Sequence, residues 1–422
     1  MRIRRVVITG LGVIAPNGIG KRNFWKAITE GKSGIRRITR FDSSEFPTQI
    51  AGEVNDFNPA EFLEPKKARR IDRFSQLGIA ASILAVQDAG INLEREDRHR
   101  IGVFLGAAVA GLAYAEAQHD TFREKGFKRI NPHIIYAAFS DACAGSISLE
   151  LGLKGPSTTI AAACASGSAS IGLGFHAIRN CEADMVLAGG ADAPITPMVV
   201  ASYCAANAMS TRNGEPQKAS RPFCVDRDGF VLAEGAGMII LENLDRALRR
   251  GAHIYAEICG FGMTCDSYHM LQSAPEGEER ARAIRLALND ARIDPQQVDY
   301  VNAHGTSTPI NDKVETLVIK KVFGDHAYNL SVSSTKSMIG HAHGACGSIE
   351  TIVCALAIEN QIIPPTINYE KPDPECDLDY VPNQCRRGRV NVVLKNAFGF
   401  GGKNAALIMK KFDEAREIER MD

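Results

Sequence analysis

The sequence predicts an α/β fold, and three observations carry that reading. Short apolar runs alternate with longer segments whose apolar residues recur at helical spacing, the pattern of helices layered on a sheet. The chain of 422 residues is 45% hydrophobic and 23% charged, enough to bury a large core. ACASGSAS from Ala163 is echoed by ACGSIE from Ala345, each opening a small-residue helix, which suggests a duplicated α/β unit. No long linker or low-complexity tract divides the chain, so its length fits one large α/β unit or two or three smaller domains.

Taken in order, apolar runs such as VVIT, TTIAAA and VNVVLK predict strands over 5–9, 101–105, 158–163, 184–188, 237–242, 254–260, 298–303, 330–334 and 390–394. Helices are predicted over 23–30, 75–89, 165–180, 278–291, 312–323 and 345–359. In 278–291, Ala281, Ile284, Ala287, Leu288 and Ala291 fall on one face. GLGVIA, at 10–15, matches a dinucleotide-binding pattern but is followed at once by Pro16, where a pyrophosphate-binding helix should already be running. It reads instead as an initiating strand and tight turn.

Lys+Arg and Asp+Glu both number 49, so no global charge draws the chain to nucleic acid or to a membrane surface. The eleven cysteines include no CxxC, which argues against a disulfide framework or a structural zinc site and for a reducing cytoplasm. The start, MRIRRVVITGLGV, lacks the h-region and cleavage site of a secretory signal, and no apolar run is long enough for a membrane span.

Cys164 follows the run TTIAAA and opens a helix of small residues. At a helix N-terminus the dipole and free N–H groups favour a thiolate and can cradle an acyl oxyanion. The alternative is that Cys164 is a small apolar filler of a crowded core. His304 follows the strand VDYVNA, His341 follows LSVSS, and Phe400 lies in the glycine-rich turn NAFGFGG. All four stand near C-terminal ends of predicted strands, where open α/β sheets collect ligands. A thiol can accept an acyl group, and two neutral imidazoles can donate to a thioester carbonyl and stabilise the enolate left when CO2 departs. Lys336 adds positive charge that Glu315 can balance, either in support of the site or as a plain structural ion pair. His343, two residues beyond His341, is expected to point away. The HAH spacing is not that of a helix-face metal site and HEXXH is absent, so no metal is expected.

As a set and in order, TTIAAACASGSAS, STRNGEPQKASRPFCVDRDGFVLAEGAG, VNAHGTSTPINDKVE, SSTKSMIGHAHGACGSIE and NAFGFGGKNAAL resemble the β-ketoacyl-acyl-carrier-protein synthases, closest to the type II elongation branch. The resemblance spans about residues 3–412. It implies a thiolase-like α/β fold of two pseudo-symmetric halves in αβαβα layers: 1–252 with the cysteine, 253–412 with the two histidines, and a charged tail over 413–422. It implies that Cys164 accepts the acyl group, that His304 and His341 support malonyl decarboxylation and condensation, and that Lys336 and Glu315 form a supporting charged pair. Backbone N–H groups of Cys164 and Phe400 would form the oxyanion hole, with the Phe400 ring as gate. Thr306 and Thr308 match pantetheine contacts, and Phe230 a phenylalanine near the cysteine. The implied chemistry uses no bound cofactor and acts on phosphopantetheine-linked thioesters, in a cytoplasmic homodimer or a heterodimer with a ketosynthase-like subunit.

Several positions depart from the family pattern. Val109, His133, Ile134 and Tyr203 stand where other residues shape the acyl pocket and dimer interface, Lys403 replaces a threonine, and Asn207 a carrier-docking arginine. Lys66, Lys67, Arg69 and Arg70, with Lys128 and Arg129, offer another docking patch for an acidic carrier, or a solvated basic helix end. The leading expectation is a decarboxylating condensing enzyme of fatty-acid elongation. Its alternatives are a discrete ketosynthase of a polyketide or specialised acyl pathway, a non-catalytic chain-length subunit, and a cysteine hydrolase.

Overall fold

The computed structural model describes residues 4–413, so the expected tail lies outside the described residues beyond Asp413. Ten strands follow one another across the main sheet: β1 (Val6–Ala15), β2 (Ile101–Gly106), β3 (Ser157–Ile160), β4 (Met185–Asp192), β5 (Gly235–Asn243), β6 (Ala256–Cys265), β7 (Tyr300–Asn302), β8 (Ser331–Ser333), β9 (Val392–Gly399) and β10 (Lys403–Lys410). Their spatial order is β8-β7-β9-β10-β6-β1-β5-β4-β2-β3. Read outward from the centre, each half gives its first, fifth, fourth, second and third strand. In each half the outer three strands are parallel, and the two inner ones run antiparallel to their neighbours. A short antiparallel pairing, Val6↔Ile258 to Ile8↔Ala256, joins the halves.

Helix burial sets the layers. Helix α1 (Arg73–Asp88) covers the outer face of the N-terminal half together with α2 (Ala142–Leu151). Between the halves lie α3 (Ser166–Arg179) and α6 (Cys346–Asn360), each touching strands of both halves. On the far face α4 (Glu278–Ala291) packs on β6 and β10, with α5 (Pro309–Phe323) against it. The result is the αβαβα arrangement. A helix between the two halves of the sheet keeps little solvent face, so α6 is apolar around most of its girth and α3 is built largely of Gly, Ala and Ser. Gly167 on α3 shows how close the packing is, since a Cβ there would lie 2.7 Å from the Gly344 carbonyl oxygen and 2.8 Å from the Ser348 nitrogen.

GLGVIA proves to be strand throughout, because β1 runs unbroken to Ala15 and the chain turns only at Pro16–Asn17. Gly12 is there for close approach: a Cβ would fall 1.9 Å from the Ala81 carbonyl oxygen of α1. The boundary expected at 252–253 falls in the connection between the helix Leu244–Arg249 and β6. Among the described residues, no helix is long and apolar enough to cross a membrane.

Candidate active site

The outer strands of both halves end at one cavity of about 410 Å³. β3 ends at Ile160, and a 3-10 turn over Ala163–Ala165 then delivers Cys164 to the start of α3. His304 follows β7, His341 follows β8 and the one-turn helix Lys336–Ile339, and Phe400 follows β9 directly. The Cys164 thiol and one nitrogen from each of His304 and His341 lie within 4.8 Å of one another. All three residues are buried and line the cavity, with Phe230, Phe398, Phe400, Thr306 and Thr308 around them.

Backbone contacts place these groups. Glu315 on α5 accepts the His304 N–H at 2.8 Å and the Gly305 N–H at 2.7 Å, which fixes the loop after β7. Thr306 and Thr308 share a 2.8 Å hydroxyl contact, and Thr308 caps α5. The His304 and His341 rings meet edge to face at 5.4 Å, and Phe230 and Phe398 pack against them at 5.6 and 5.9 Å.

Burial dominates the electrostatics. It pushes the Cys164 thiol up to about 11, with the Asp192 carboxylate acting in the same sense, although the charge of Lys336 and the Phe400 and Cys164 backbone N–H groups facing the sulfur pull the other way. The lowering that a helix N-terminus favours is therefore overridden here, because desolvation outweighs the dipole and leaves a resting thiol. Burial, reinforced by Lys336 and Lys395, also holds both imidazoles well below the usual histidine range, so they are neutral at neutral pH. His341 Nδ1 accepts the His343 N–H at 3.2 Å, which leaves the proton on Nε2, where a donor to a carbonyl oxygen needs it. The thiol and imidazoles also have the spacing of three ligands to a soft cation. To ligate through Nε2, however, His341 would have to give up the proton this hydrogen bond assigns.

Two further expectations are corrected. Lys336 does not pair with Glu315; its ammonium lies 2.5 Å from Glu350 Oε1 on α6, because Glu315 is committed to the His304 loop. His343 does not point away. Its φ of 45° breaks the alternation assumed for an i+2 neighbour, and its ring turns into the cavity 4.8 Å from that of His341. Its Nε2 accepts the Tyr203 hydroxyl at 2.7 Å, while Nδ1 donates to the His341 carbonyl oxygen, and burial brings the ring down to about 4.

The remaining candidates separate by place. Tyr203 packs on Phe230 at 5.3 Å and faces Phe400 at 6.4 Å. Asn207 lines the cavity. Val109 and Ile134 do not line it: Val109 packs beside the Phe230 cluster, and Ile134 lies in a segment that exposes Phe127, Ile135 and Phe139. Lys403 stands beside the Phe400 turn, with its Nζ 3.9 Å from Cys265 Sγ. Lys66, Arg69, Arg70, Lys128 and Arg129 are exposed outside the cavity, and Lys67 pairs with Glu150 at 3.1 Å. Sequence reasoning missed Arg280, Glu350 and Lys395. Glu350 and Lys395 are charges within apolar runs, which was the one available signal, whereas Arg280 lies in the charged first turn of α4 and carries none.

Against known proteins, the model described as Beta-ketoacyl synthase, N-terminal domain, matches residues 3–247, and that described as Beta-ketoacyl synthase, C-terminal domain, matches 255–370. The chain is 46% identical over 411 residues to 3-oxoacyl-[acyl-carrier-protein] synthase 2 of Coxiella burnetii, covering 97% of this chain and 99% of the relative. Among solved structures it is similar to a type II PKS ketosynthase, in complex with its acyl-carrier protein and bound to the hexaketide (TM-score 0.89, 38% identity, 98% and 100% coverage). It is also similar to the ishigamide ketosynthase/chain length factor (TM-score 0.91, 36% identity, 98% and 100% coverage). The chain belongs to the β-ketoacyl synthase family.

Proposed function

We propose that the protein is a 3-oxoacyl-[acyl-carrier-protein] synthase, a condensing acyltransferase that lengthens an acyl chain by two carbons. The observation that carries this is the meeting of one thiol and two neutral imidazoles at a cavity where two backbone N–H groups also face the sulfur.

Cys164 Sγ attacks the thioester of an acyl-carrier, and the carbonyl oxygen, gaining charge, turns to the N–H groups of Cys164 and Phe400. The carbon–sulfur bond to pantetheine breaks, and the proton lost by the thiol ends on the departing pantetheine sulfur. Malonyl-carrier then enters past Thr306 and Thr308. His304 and His341 hold its thioester oxygen as the carboxylate leaves as CO2, and the electron pair passes into the enolate they stabilise. The enolate carbon attacks the acyl-Cys164 carbonyl, the tetrahedral oxyanion collapses, and the Cys164 sulfur departs and takes up a proton. Lys336 supports the site through Glu350, and Glu315 by holding the His304 loop.

The partner is an acyl carrier protein, approached through Lys66, Arg69, Arg70, Lys128 and Arg129, in the cytoplasm and without a bound cofactor. The exposed apolar segment around Ile134 supports a dimer, homodimeric or with a ketosynthase-like subunit. A second reading, a discrete ketosynthase of a polyketide or specialised acyl pathway, is favoured by the similarity to the type II PKS ketosynthase. Intact-mass analysis after incubation with a panel of saturated, branched and polyenoic acyl-carriers tests both. Wild type gains the acyl mass, Cys164→Ala gains none, and the preferred chain separates the pathways. Acylation of the alanine variant would remove the assignment.

A further inference from the structure

Lys395 is the residue the mechanism above leaves unused and the fold makes hardest to ignore. It sits on β9, is 0% exposed, and brings its ammonium to 2.8 Å from Glu350 Oε2. The other oxygen of the same carboxylate holds Lys336, 1% exposed, at 2.5 Å. Two buried ammonium groups thus flank one carboxylate. Lys395 also donates to the carbonyl of Asn396, while Glu350 Oε2 accepts no well-aligned hydrogen bond, so the contact between Lys395 and Glu350 is Coulombic. A buried ion pair barely repays its desolvation, and a third charge in the same place adds to that cost without closing the pair better. Lysine 395 is therefore a poor choice for stability alone.

We propose that Lys395 is an electrostatic positioning residue: with Lys336 and Glu350 it forms a triad whose surplus positive charge favours the anions made at Cys164, His304 and His341. Those anions are the thiolate, the enolate and the tetrahedral oxyanion, so the inference rests on the condensing reaction proposed above. The placement suits the role. Lys336 and Lys395 are the two ammonium groups whose field reaches both imidazoles, and each disfavours the imidazolium. Arg280 acts on His304 in the same sense from α4. Facing these cations, Glu350 lies within the triad, Glu315 is spent on the backbone of the His304 loop, and Asp192 accepts four N–H groups on the N-terminal side. His343 is neutral. At short range in a dry site, a surplus charge acts on a developing anion far more strongly than it would in water.

Iodoacetamide tests the thiolate without any carrier. The eleven free cysteines require following the Cys164-containing peptide by mass, from pH 6 to 10, in wild type, Lys395→Met and Lys395→Arg. Lys395→Met leaves the neutral Lys336–Glu350 pair intact. Lys336 is the cation that pulls the Cys164 thiol down, and Lys395 works on it by sharing Glu350, so Cys164 of this variant should react several-fold more slowly near pH 8. CO2 release from malonyl-carrier should slow to a similar extent, and folded Lys395→Arg should stay within about twofold of wild type in both assays. If circular dichroism shows Lys395→Met unfolded, Lys395→Gln carries the same expectation. Alkylation of the neutral variant at the wild-type rate would overturn the proposal, as would equal slowing in folded Lys395→Arg. If the alkylation order holds while wild type releases no CO2, the condensing reaction fails and the triad's effect on the thiol stands.

Discussion

Two strand-to-helix turns face each other across the centre of the molecule, one in each half, and they share one backbone design. The N-terminal turn is Ala163–Ala165 leading into α3; the C-terminal one is His343–Ala345 leading into α6. Each begins with a non-glycine residue in the left-handed region, at φ 49° for Ala163 and 45° for His343. Cys164 therefore corresponds to Gly344, and the last residue of β9, Gly399, to the last residue of β4, Asp192. Asp192 accepts the N–H of Gly344 at 2.7 Å and those of Ala108, Val109 and Ala110 at 2.8–3.0 Å. Opposite the N-terminal turn there is only glycine, and the Cys164 and Phe400 N–H groups face the sulfur instead. The same local geometry thus serves once as a lock and once as a reactive centre. What separates them is a carboxylate that consumes the N–H groups in one half and is missing from the other.

Converting one turn into the other should have the largest effect. Gly399→Asp puts an acceptor opposite Cys164, where a Cβ already lies only 3.0 Å from the Cys164 nitrogen. Acylation by acyl-carrier should fall about a hundredfold or more, the usual cost of losing an oxyanion donor. A variant that acylated normally would separate the N–H groups from the chemistry. Next in size is His304→Ala, which removes one of the two donors to the malonyl thioester. CO2 release should fall by about two orders of magnitude while Cys164 still acylates, so radiolabelled malonyl-carrier and intact mass together give the answer. Unlocking the other turn acts on stability: Asp192→Asn replaces one acceptor oxygen by an amine facing N–H donors. It should cost about 1–3 kcal/mol in urea unfolding, and an unmoved midpoint would mean that the lock bears no strain.

The smallest expected effect is in the pH profile. Both imidazoles are held below the ordinary histidine range, so lowering the pH from 8 to 6 does not protonate them and CO2 release should stay flat. The Cys164 thiol, pushed up to about 11, should react with iodoacetamide ever faster as pH rises through 8 and 9. A CO2-release curve with a midpoint near 6.5 would put at least one imidazole in a wetter setting.

The reactive turn was legible in the sequence and the lock was not. An apolar run, a cysteine and a small-residue helix make a pattern within a dozen residues, so the place of Cys164 followed from local chemistry. The echo between the halves was also visible, but it paired Cys164 with Cys346, two residues out of step. In the fold Cys346 matches Ser166, and its thiol donates back to the Cys164 carbonyl at 3.4 Å. Asp192 ends a long apolar strand, and nothing nearby shows that four N–H groups from two distant loops will converge on it. Lys336 posed the same difficulty, since the choice between Glu315 and Glu350 depends on which helix lies in the central layer. Strand β10 and α2 escaped the pattern as well, the first because KNAALIMK lacks clear alternation and the second because its small residues blur the helical stripe.

The glycine contacts between α3 and the turn before α6 bear on how the centre keeps its shape. Main chain lies against main chain there, with only serine hydroxyls between, so the distance between the sulfur and the imidazoles is set like a hinge pin seated in its barrel. A methyl group at Gly167 would work as a wedge, parting nucleophile from histidines by a fraction of an ångström. Turnover and the melting temperature would both register that displacement.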